Sequence, residues 1–290
     1  MIEKKNNNFK TYLELGKVRI TFAVALTTLT GYVLAKGQFD SEMILPVLGI
    51  FILASGSAAL NHYQESDKDA KMERTKNRPI PSGKISPNQA LLFSATFIIL
   101  GSWLIYAGSG FLAMQLGLLA LIWYNGFYTP LKKRTAFAVI PGAIIGAIPP
   151  MVGWVAGGES LTDHRAAIIA FFFFIWQVPH FWLLLLKYGK EYEKAGFPSL
   201  TSKYSERKIK FTTFIWTLAT AITALMLPFF GIIGSAVISL LLMIVAAWLI
   251  FVFTSLIRNN QTAFNPSYYF MKINYFVLFV MLFLSVDSVL

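Results

Sequence analysis

Three oxygen-bearing side chains recur at intervals of four residues directly after an apolar stretch of the chain. They are Asn61, Glu65 and Asp69, and a helix that continues through them places all three on one face. Carboxylate and amide oxygens are ligands that Mg2+ prefers, and bound Mg2+ attracts phosphate or diphosphate. The spacing therefore predicts a metal-assisted diphosphate site. The alternative interpretation is a solvated, self-paired charged loop at a membrane surface.

Two arginines that suit the same anion follow this group. Arg74 and Arg78 are again four residues apart, and the segment ends in Arg78-Pro79-Ile80-Pro81. A guanidinium group is a planar fork of donors that matches phosphate oxygens. We therefore expect both arginines to bind the diphosphate.

A second polar cluster follows the fourth apolar stretch. Tyr128 and Lys132 are four residues apart, so a phenol and an ammonium group could reach one anion, although Pro130 could distort the turn between them. The run Lys132-Lys133-Arg134 also has an ordinary interpretation as a charge patch that sets membrane topology. Both interpretations remain open from the residues alone.

A third cluster lies within and after the sixth apolar stretch. Gln177 and His180 are polar groups in an otherwise apolar segment, and such groups are functional candidates because an idle one is costly in a membrane. A buried histidine that is satisfied by the backbone beside Pro179 is the alternative for His180. Lys187 and Glu191, again four apart, follow at the polar end of the same segment.

The elements that must position these residues are membrane-spanning helices. Of the 290 residues, 56% are hydrophobic and 13% are charged, which is too apolar for an ordinary soluble domain. Nine stretches are long enough to cross a bilayer, which takes roughly 17–25 residues. We predict them at 20–36, 43–62, 88–108, 110–128, 137–157, 166–187, 211–231, 233–257 and 268–289.

The basic residues lie almost entirely in alternate connections. These connections hold 23 of the 25 lysines and arginines, beginning with Lys4 and Lys5, and only Lys36 and Arg165 lie on the other side. The positive-inside rule then places the N-terminus in the cytoplasm and the C-terminus outside a multi-pass inner (cytoplasmic) cell membrane. The net charge of +11 is accounted for by this topology and by anionic lipid, so we expect no nucleic-acid partner.

We expect one transmembrane domain over residues 1–290, because no linker or low-complexity tract divides the chain. Its cytoplasmic catalytic loops are predicted at about 63–87, 129–136 and 188–210. The absence of cysteine excludes disulfides and thiolate metal sites, and we expect the first apolar stretch to be a retained helix instead of a cleaved signal peptide. The fifth stretch contains Pro141, Pro149 and Pro150. It should lie inside the bundle, either broken around a cavity or closely packed through its small residues.

Together these segments resemble the UbiA superfamily of intramembrane prenyltransferases, and within it the branch that acts on haem. The resemblance covers most of the chain. Its carriers are Asn61-x3-Glu65-x-Asp67-x-Asp69 with Met72-x-Arg74-Thr75-x2-Arg78-Pro79, Tyr128-Thr129-x-Leu131-Lys132-x-Arg134-Thr135, Gly146-x2-Pro149-Pro150-x2-Gly153-Trp154, Trp176-Gln177-x-Pro179-His180-Phe181 and Glu191-Tyr192-x2-Ala195-Gly196. The first motif belongs to the superfamily at large, and the Trp-Gln-x-Pro-His-Phe run is specific to the haem branch.

The resemblance implies an all-α fold of about nine transmembrane helices around a central chamber, closed by the two long cytoplasmic loops. The implied activity is transfer of a farnesyl group from farnesyl diphosphate to a vinyl group of haem b, with addition of water, to give haem O. Mg2+ is the implied cofactor, and haem-handing proteins of oxidase assembly are further expected partners besides membrane lipid. The Glu191-Tyr192 pair stands where the family usually has Asp-Tyr, which puts a second Mg2+ site in doubt.

The same resemblance implies three groups of site residues. Expected catalytic residues are Asn61, Glu65, Asp69, Tyr128, Lys132 and His180. Expected diphosphate-binding residues are Lys17, Arg19, Arg74, Arg78, Lys132, Arg134 and Lys187, and expected metal ligands are Asn61, Glu65, Asp69 and Glu191. Two other functions remain open: a related enzyme that prenylates a phenol or naphthoate, and a transporter whose carboxylates bind cations.

Overall fold

The computed structural model describes residues 8–258 and 265–290. Lys4 and Lys5, two of the basic residues on which the predicted topology depends, lie outside this part of the chain. All regular elements in the described residues are helical, which confirms the predicted fold class. The α-helices are α1 (Asn8–Leu15), α2 (Val18–Lys36), α3 (Ile44–Asp69), α4 (Pro87–Leu121), α5 (Thr129–Lys132), α6 (Val139–Gly142), α7 (Ile144–Ala156), α8 (His164–Lys194), α9 (Glu206–Met226), α10 (Ala236–Thr254) and α11 (Pro266–Asp287).

Eight continuous helical segments in the described residues are long and apolar enough to cross a membrane. One of them, Pro87–Lys132, is interrupted at Gly110, whose φ of 78° and ψ of −172° are not helical. Gly101 and Gly117, one on each side of this break, both lie against Leu53 of α3. The segment is therefore a hairpin of two spans, and the prediction of about nine spans is confirmed.

Helix ends on the polar side differ from the prediction. The second span was expected to end at residue 62 and the sixth at 187, but α3 continues to Asp69 and α8 to Lys194. The prediction stopped where the apolar residues stop, whereas these helices continue past the apolar core because their polar turns pair with neighbouring elements. The long connections are accordingly shorter than predicted and cover 70–86 and 195–205.

The fifth predicted span is made of α6 and α7, which lie inside the bundle as expected. A β-carbon on Gly153 of α7 would lie 1.8 Å from the carbonyl oxygen of Thr28 in α2, and one on Gly31 would lie 1.9 Å from that of Pro150. Thr28 also donates a hydrogen bond through its hydroxyl to the carbonyl oxygen of Pro149, at 3.0 Å. Close packing through small residues therefore describes the α2–α7 contact.

The buried core is shared by two groups of helices. The larger cluster includes residues of α7, α8, α9, α10 and α11, among them Phe172, Leu242 and Phe276. A smaller one joins α2, α3, α4 and α7 around Ile50 and Ile105. Many large apolar side chains on the outer faces of these helices are exposed, which is the expected surface of a protein whose solvent is lipid.

Candidate active site

The three oxygen-bearing residues of α3 lie on one buried face, as their spacing predicts. The exposed fraction is 3% for Asn61, 4% for Glu65 and 1% for Asp69. This burial contradicts the alternative of a solvated loop. Charged groups buried to this degree require partners, because desolvation of an unpaired charge is costly.

Asn61 is held by residues from two other elements. Lys17, in the break between α1 and α2, donates from Nζ to Oδ1 of Asn61 at 2.8 Å. The Asn61 amide in turn donates from Nδ2 to the hydroxyl of Thr129 at 3.2 Å, and this hydroxyl donates to the carbonyl oxygen of Tyr124. The amide orientation follows from these contacts, because an ammonium group can only donate.

Both carboxylates have cationic partners. Lys132 Nζ lies 3.1 Å from each carboxylate oxygen of Glu65, and Arg78 Nη1 donates to Oδ2 of Asp69 at 2.6 Å. The other oxygen of Asp69, Oδ1, is buried without a hydrogen-bond partner. The amide of Asn61 and the two carboxylates of α3 thus each face one cation, and the three cations come from three separate segments.

Lys17 is the only residue other than glycine with a positive φ in the described part of the chain, at φ 49° and ψ 46°. This left-handed conformation costs a non-glycine residue on the order of 1–2 kcal/mol. The conformation ends α1 and begins α2, and it directs the ammonium group to Asn61. Burial lowers the pKa of Lys17 to about 7, with a further lowering by the charge of Arg78, while the charge of Glu65 opposes it.

The two connections predicted to close the chamber contact one another. The carboxylate of Glu191 accepts a hydrogen bond from the backbone amide of Arg74 at 3.2 Å. Lys68 donates to the carbonyl oxygen of Gly196 at 3.2 Å, and Phe197 packs with Met72 in a small apolar cluster. Together these contacts form a cover over the end of α3.

Aromatic rings of this cover lie beside the site. The ammonium group of Lys132 lies 4.8 Å from the ring centre of Phe197 and 5.1 Å from that of Tyr192. Arg74 is exposed, and its guanidinium group lies over the ring of Tyr188 at 4.7 Å. Lys187, which is also exposed, lies 4.9 Å from the same ring.

The predicted diphosphate-binding residues therefore fall into two sets. Lys17, Arg78 and Lys132 contact the oxygen-bearing residues of α3 directly. The remaining four are exposed on the surface of the described chain, and they are Arg19, Arg74, Arg134 and Lys187. Glu191 contacts the backbone of Arg74, so its predicted role as a metal ligand stays a prediction.

Tyr128 and Lys132 occupy different surroundings. Pro130 lies in the first turn of α5, where proline is tolerated, so it does not break the helix. Lys132 reaches Glu65, whereas the ring of Tyr128 stacks between Tyr124 at 5.8 Å and Phe181 at 5.9 Å. The expected convergence of the two side chains on one anion stays a prediction.

A row of aromatic rings connects this region to His180. It runs from Tyr124 through Tyr128 to Phe181, whose ring centre lies 5.7 Å from that of His180. Nδ1 of His180 lies 3.0 Å from Oδ1 of Asn274 in α11. The partner of this histidine is thus a side chain, and the alternative of a backbone-satisfied histidine is wrong.

Several polar residues of the site were missed by reasoning from the sequence. Asn125 is 4% exposed and bonds both to Ser57 and to Gln64 of α3. Asn274 in α11 holds His180 through a hydrogen bond to Nδ1. A single asparagine within an apolar span, as at 125 and 274, is a signal that could have found two of them.

The donor set of α3 fits a hard divalent cation. In the described residues, no three or more His, Cys, Asp or Glu side chains form a group that could hold a metal ion. Two carboxylates and an amide oxygen are nevertheless a common protein contribution to Mg2+, which keeps water and substrate oxygens as its other ligands. The unpartnered Oδ1 of Asp69 is a buried atom that such an ion would satisfy.

The sequence of the chain matches the model of the UbiA prenyltransferase family over residues 24–276. The chain belongs to this family. Among UbiA relatives, a protein of Geobacter sulfurreducens named protoheme IX farnesyltransferase is 37% identical over 77% of this chain and 82% of its own length. One of the same name from Oleidesulfovibrio alaskensis is 33% identical over 94% of both chains.

Solved UbiA structures have the same fold. A structure described as digeranylgeranylglyceryl phosphate synthase superposes with a TM-score of 0.72 at 20% identity, over 97% of this chain and 98% of that one. A UbiA homologue from Archaeoglobus fulgidus, bound to GPP and Mg2+, gives 0.71 at 16% identity over 96% and 99%. At these identities the likeness establishes the fold. The family match and the relatives at 33–37% identity, together with the apolar helical segments, make this chain a multi-pass membrane prenyltransferase, and the transporter alternative is set aside.

Proposed function

We propose that this UbiA protein transfers the farnesyl group of farnesyl diphosphate to a vinyl group of haem b and adds water to give haem O. The observation that carries this proposal is 33% identity over 94% of both chains to a relative named protoheme IX farnesyltransferase. The run Trp176-Gln177-Val178-Pro179-His180-Phe181, which resembles the haem branch, supports the same acceptor.

The three cations that contact the α3 face, which we call the inner cations, bind the diphosphate. Lys17, Arg78 and Lys132 approach the α3 face from three sides, and each can exchange an oxygen of α3 for a phosphate oxygen. The exposed residues Arg74 and Lys187 lie on one aromatic ring at the cover and attract the anion to the entrance. Electrostatic stabilisation of the leaving group is the main catalytic contribution here, since ionisation places negative charge on the diphosphate.

Asn61, Glu65 and Asp69 are the residues that would hold Mg2+. When bound, this ion supplies positive charge that neutralises the departing diphosphate. The residues of the chain fit that role because Asp69 has a buried, unpartnered oxygen and all three donors are oxygens. Glu191 is a candidate ligand for a second ion, although in this conformation its carboxylate is bonded to the Arg74 amide.

The reaction breaks the bond between C1 of the farnesyl chain and the bridging oxygen, and the diphosphate leaves with the electron pair. The π electrons of the haem vinyl group form a new bond to C1, which leaves a cation on the vinyl carbon nearest the porphyrin. Water adds to that carbon and releases a proton. The product carries a hydroxyethyl farnesyl substituent, so atoms and charge balance.

The aromatic row protects the allylic cation between these steps. Tyr124, Tyr128 and Phe181 present stacked rings between Lys132 and His180, and a ring face can stabilise a cation by about 0.5–2 kcal/mol. The rings also exclude water, which would otherwise capture the farnesyl cation and give farnesol. His180 contributes to the acceptor end of the chamber.

The chain spans a bacterial-type inner membrane, and its basic loops lie on the cytoplasmic side. Only two basic residues, Lys36 and Arg165, lie on the opposite side, and this distribution supports the orientation. Lys36 lies 2.8 Å from Glu42, and Arg165 lies 2.6 Å from Asp163 and 3.4 Å from Glu159. Haem-handing proteins of oxidase assembly remain predicted partners.

The proposal is tested with the purified chain in lipid nanodiscs, supplied with haem b, farnesyl diphosphate and Mg2+. Mass spectrometry should detect haem O, and parallel reactions should contain a phenol or a naphthoate in place of haem. Formation of a prenylated phenol or naphthoate, with no haem O, would show that the acceptor is wrong. Failure of all acceptors with folded protein would reject the proposed activity.

A further inference from the structure

Asn274 of α11 bridges two fixed points through its side-chain amide. Its nitrogen Nδ2 donates to the carbonyl oxygen of Phe270, one turn earlier in the same helix. Its oxygen Oδ1 lies 3.0 Å from Nδ1 of His180 in α8. The side chain therefore joins α11 to the proline-containing part of α8.

This arrangement determines which nitrogen of His180 carries the proton. The carbonyl oxygen of Phe270 can only accept, so the amide must present its NH2 group there and its oxygen to His180. An amide oxygen can only accept as well, so Nδ1 of His180 must be the donor. In a neutral imidazole the other nitrogen, Nε2, is then unprotonated and has a free lone pair.

Aromatic surfaces surround the imidazole. The ring centres of Phe270, Trp176 and Phe181 lie 4.7, 5.1 and 5.7 Å from that of His180. The indole nitrogen of Trp176 is a buried donor without a partner. Flat apolar walls, one lone pair and one spare donor suit a flat aromatic macrocycle with a metal at its centre and polar groups at its edge.

We propose that Nε2 of His180 ligates the iron of haem b and that Asn274 is the positioning residue that holds the imidazole in this tautomer. The inference rests on the proposed function, which makes haem the acceptor. A neutral imidazole is an ordinary axial ligand of haem iron. The hydrogen bond from Nδ1 to a second residue fixes the ring and raises its basicity.

The position of His180 explains why iron ligation would serve the transfer. The row of Phe181, Tyr128 and Tyr124 begins at this imidazole and ends beside the segment that carries Lys132. A macrocycle held by its iron at one end of the row has a fixed distance to the diphosphate residues at the other. Iron ligation therefore orients the vinyl group. The new bond still forms between the vinyl group and the farnesyl cation.

Resonance Raman spectra of ferrous haem b bound to the full-length protein in nanodiscs test the ligand. The wild type should show an iron–histidine stretching band. His180→Gly should lose that band and bind haem more weakly, and added imidazole should restore a band. His164→Gly is the matched control, because the His164 side chain is 70% exposed. A wild type without the band, or a band that survives in His180→Gly, overturns the assignment of the ligand.

Asn274 variants test the positioning role with the ligand left in place. Asn274→Asp keeps the shape and strengthens the hydrogen bond from Nδ1, so it should raise the iron–histidine frequency. Asn274→Leu removes the acceptor and should lower it. Identical frequencies in the wild type and both variants would overturn the role of Asn274, and the Asp variant keeps the test available if the Leu variant fails to fold.

The proposed function and this inference fail in different ways. Haem O formed by a protein whose bound haem lacks the iron–histidine band would leave the activity intact and reject the ligation. An iron–histidine band without haem O formation would reject the activity and leave the haem site. The two assays use the same preparation, so the outcomes are directly comparable.

Discussion

Lys17 donates a hydrogen bond to Asn61 at 2.8 Å from a backbone conformation that lysine rarely adopts, with φ at 49°. The left-handed turn that separates α1 from α2 is thus combined with a direct contact to the predicted metal-binding face. Strain at such a position is commonly retained for function.

The strain at residue 17 and its hydrogen bond to Asn61 have opposite effects on stability. Lys17→Gly should remove strain of about 1 kcal/mol, because glycine adopts a positive φ without steric cost, but it leaves Oδ1 of buried Asn61 unpaired, which costs about 1–3 kcal/mol. The same change should reduce turnover at least tenfold, because the inner site loses a cation that faces the diphosphate. Thermal unfolding and haem O formation per mole of folded protein measure both. Lys17→Met loses the same hydrogen bond but keeps the strain, so it should be equally impaired in turnover and about 1 kcal/mol less stable than Lys17→Gly.

Asp69 is predicted to be essential, and Asp67 is its matched control. Asp69→Ala should reduce turnover at least 100-fold, or about 2.7 kcal/mol, because the α3 face loses a buried carboxylate. Asp67 is exposed, so Asp67→Ala should retain nearly normal turnover. Product is measured at saturating Mg2+ and again with EDTA. Normal turnover of purified Asp69→Ala, or of the wild type in EDTA, would contradict the metal site.

His180 separates the acceptor site from the diphosphate site. His180→Ala should abolish haem O formation but leave the affinity for a non-hydrolysable farnesyl diphosphate analogue nearly unchanged, because the three cations that contact the α3 face, Lys17, Arg78 and Lys132, belong to other segments of the chain. A purely structural histidine would instead lower stability by about 1–3 kcal/mol, through the unpaired Asn274 amide, with activity falling only as the folded fraction falls. Isotherms for haem and for the analogue, with turnover per mole of folded protein, distinguish the two.

The orientation can be tested with single cysteines, since the chain has none of its own. Ser82 and Ser202 are exposed in the connections 70–86 and 195–205. Cysteines at these positions should resist an impermeant thiol reagent applied to intact cells and react after the cells are opened. A cysteine at Gln38, exposed on the opposite side, is the control and should react at once. Labelling of Ser82→Cys or Ser202→Cys in intact cells would show that the predicted orientation is wrong.

The contact between α2 and α7 predicts a strong effect of one methyl group. Gly153→Ala should destabilise the protein by about 1–3 kcal/mol or more, because its β-carbon would collide with the carbonyl oxygen of Thr28. Gly234→Ala is the control, since no atom lies within 4 Å of the added carbon. Thermal unfolding in mixed micelles should give a lower midpoint for Gly153→Ala than for Gly234→Ala. Equal midpoints would show that α2 and α7 separate easily.

Much of the architecture follows from local chemistry. The nine apolar stretches are evident from composition, and Gly110 falls where a short turn between two spans was expected. The common face of Asn61, Glu65 and Asp69 follows from helical spacing alone. These features depend on residues near one another in the chain, which is why the sequence predicts them well.

The remaining parts of the site depend on contacts between distant segments. Nothing near Lys132 in the sequence indicates that it pairs with Glu65, and nothing near His180 identifies Asn274 as its partner. Helix ends were misjudged for a related reason, since the last turns of α3 and α8 are stabilised by polar contacts with other elements. Such pairings appear only once the bundle brings the segments together.

The mutual neutralisation of Glu65 by Lys132 and of Asp69 by Arg78 has a consequence for the order of binding. A free divalent cation must compete with a resident cation for each carboxylate, and a free anion must compete with a resident carboxylate for each base. When both arrive, the carboxylates turn to the metal and the bases to the phosphates, so neither set is left unmatched. The two ligands should therefore bind cooperatively, each raising the affinity for the other by the same factor.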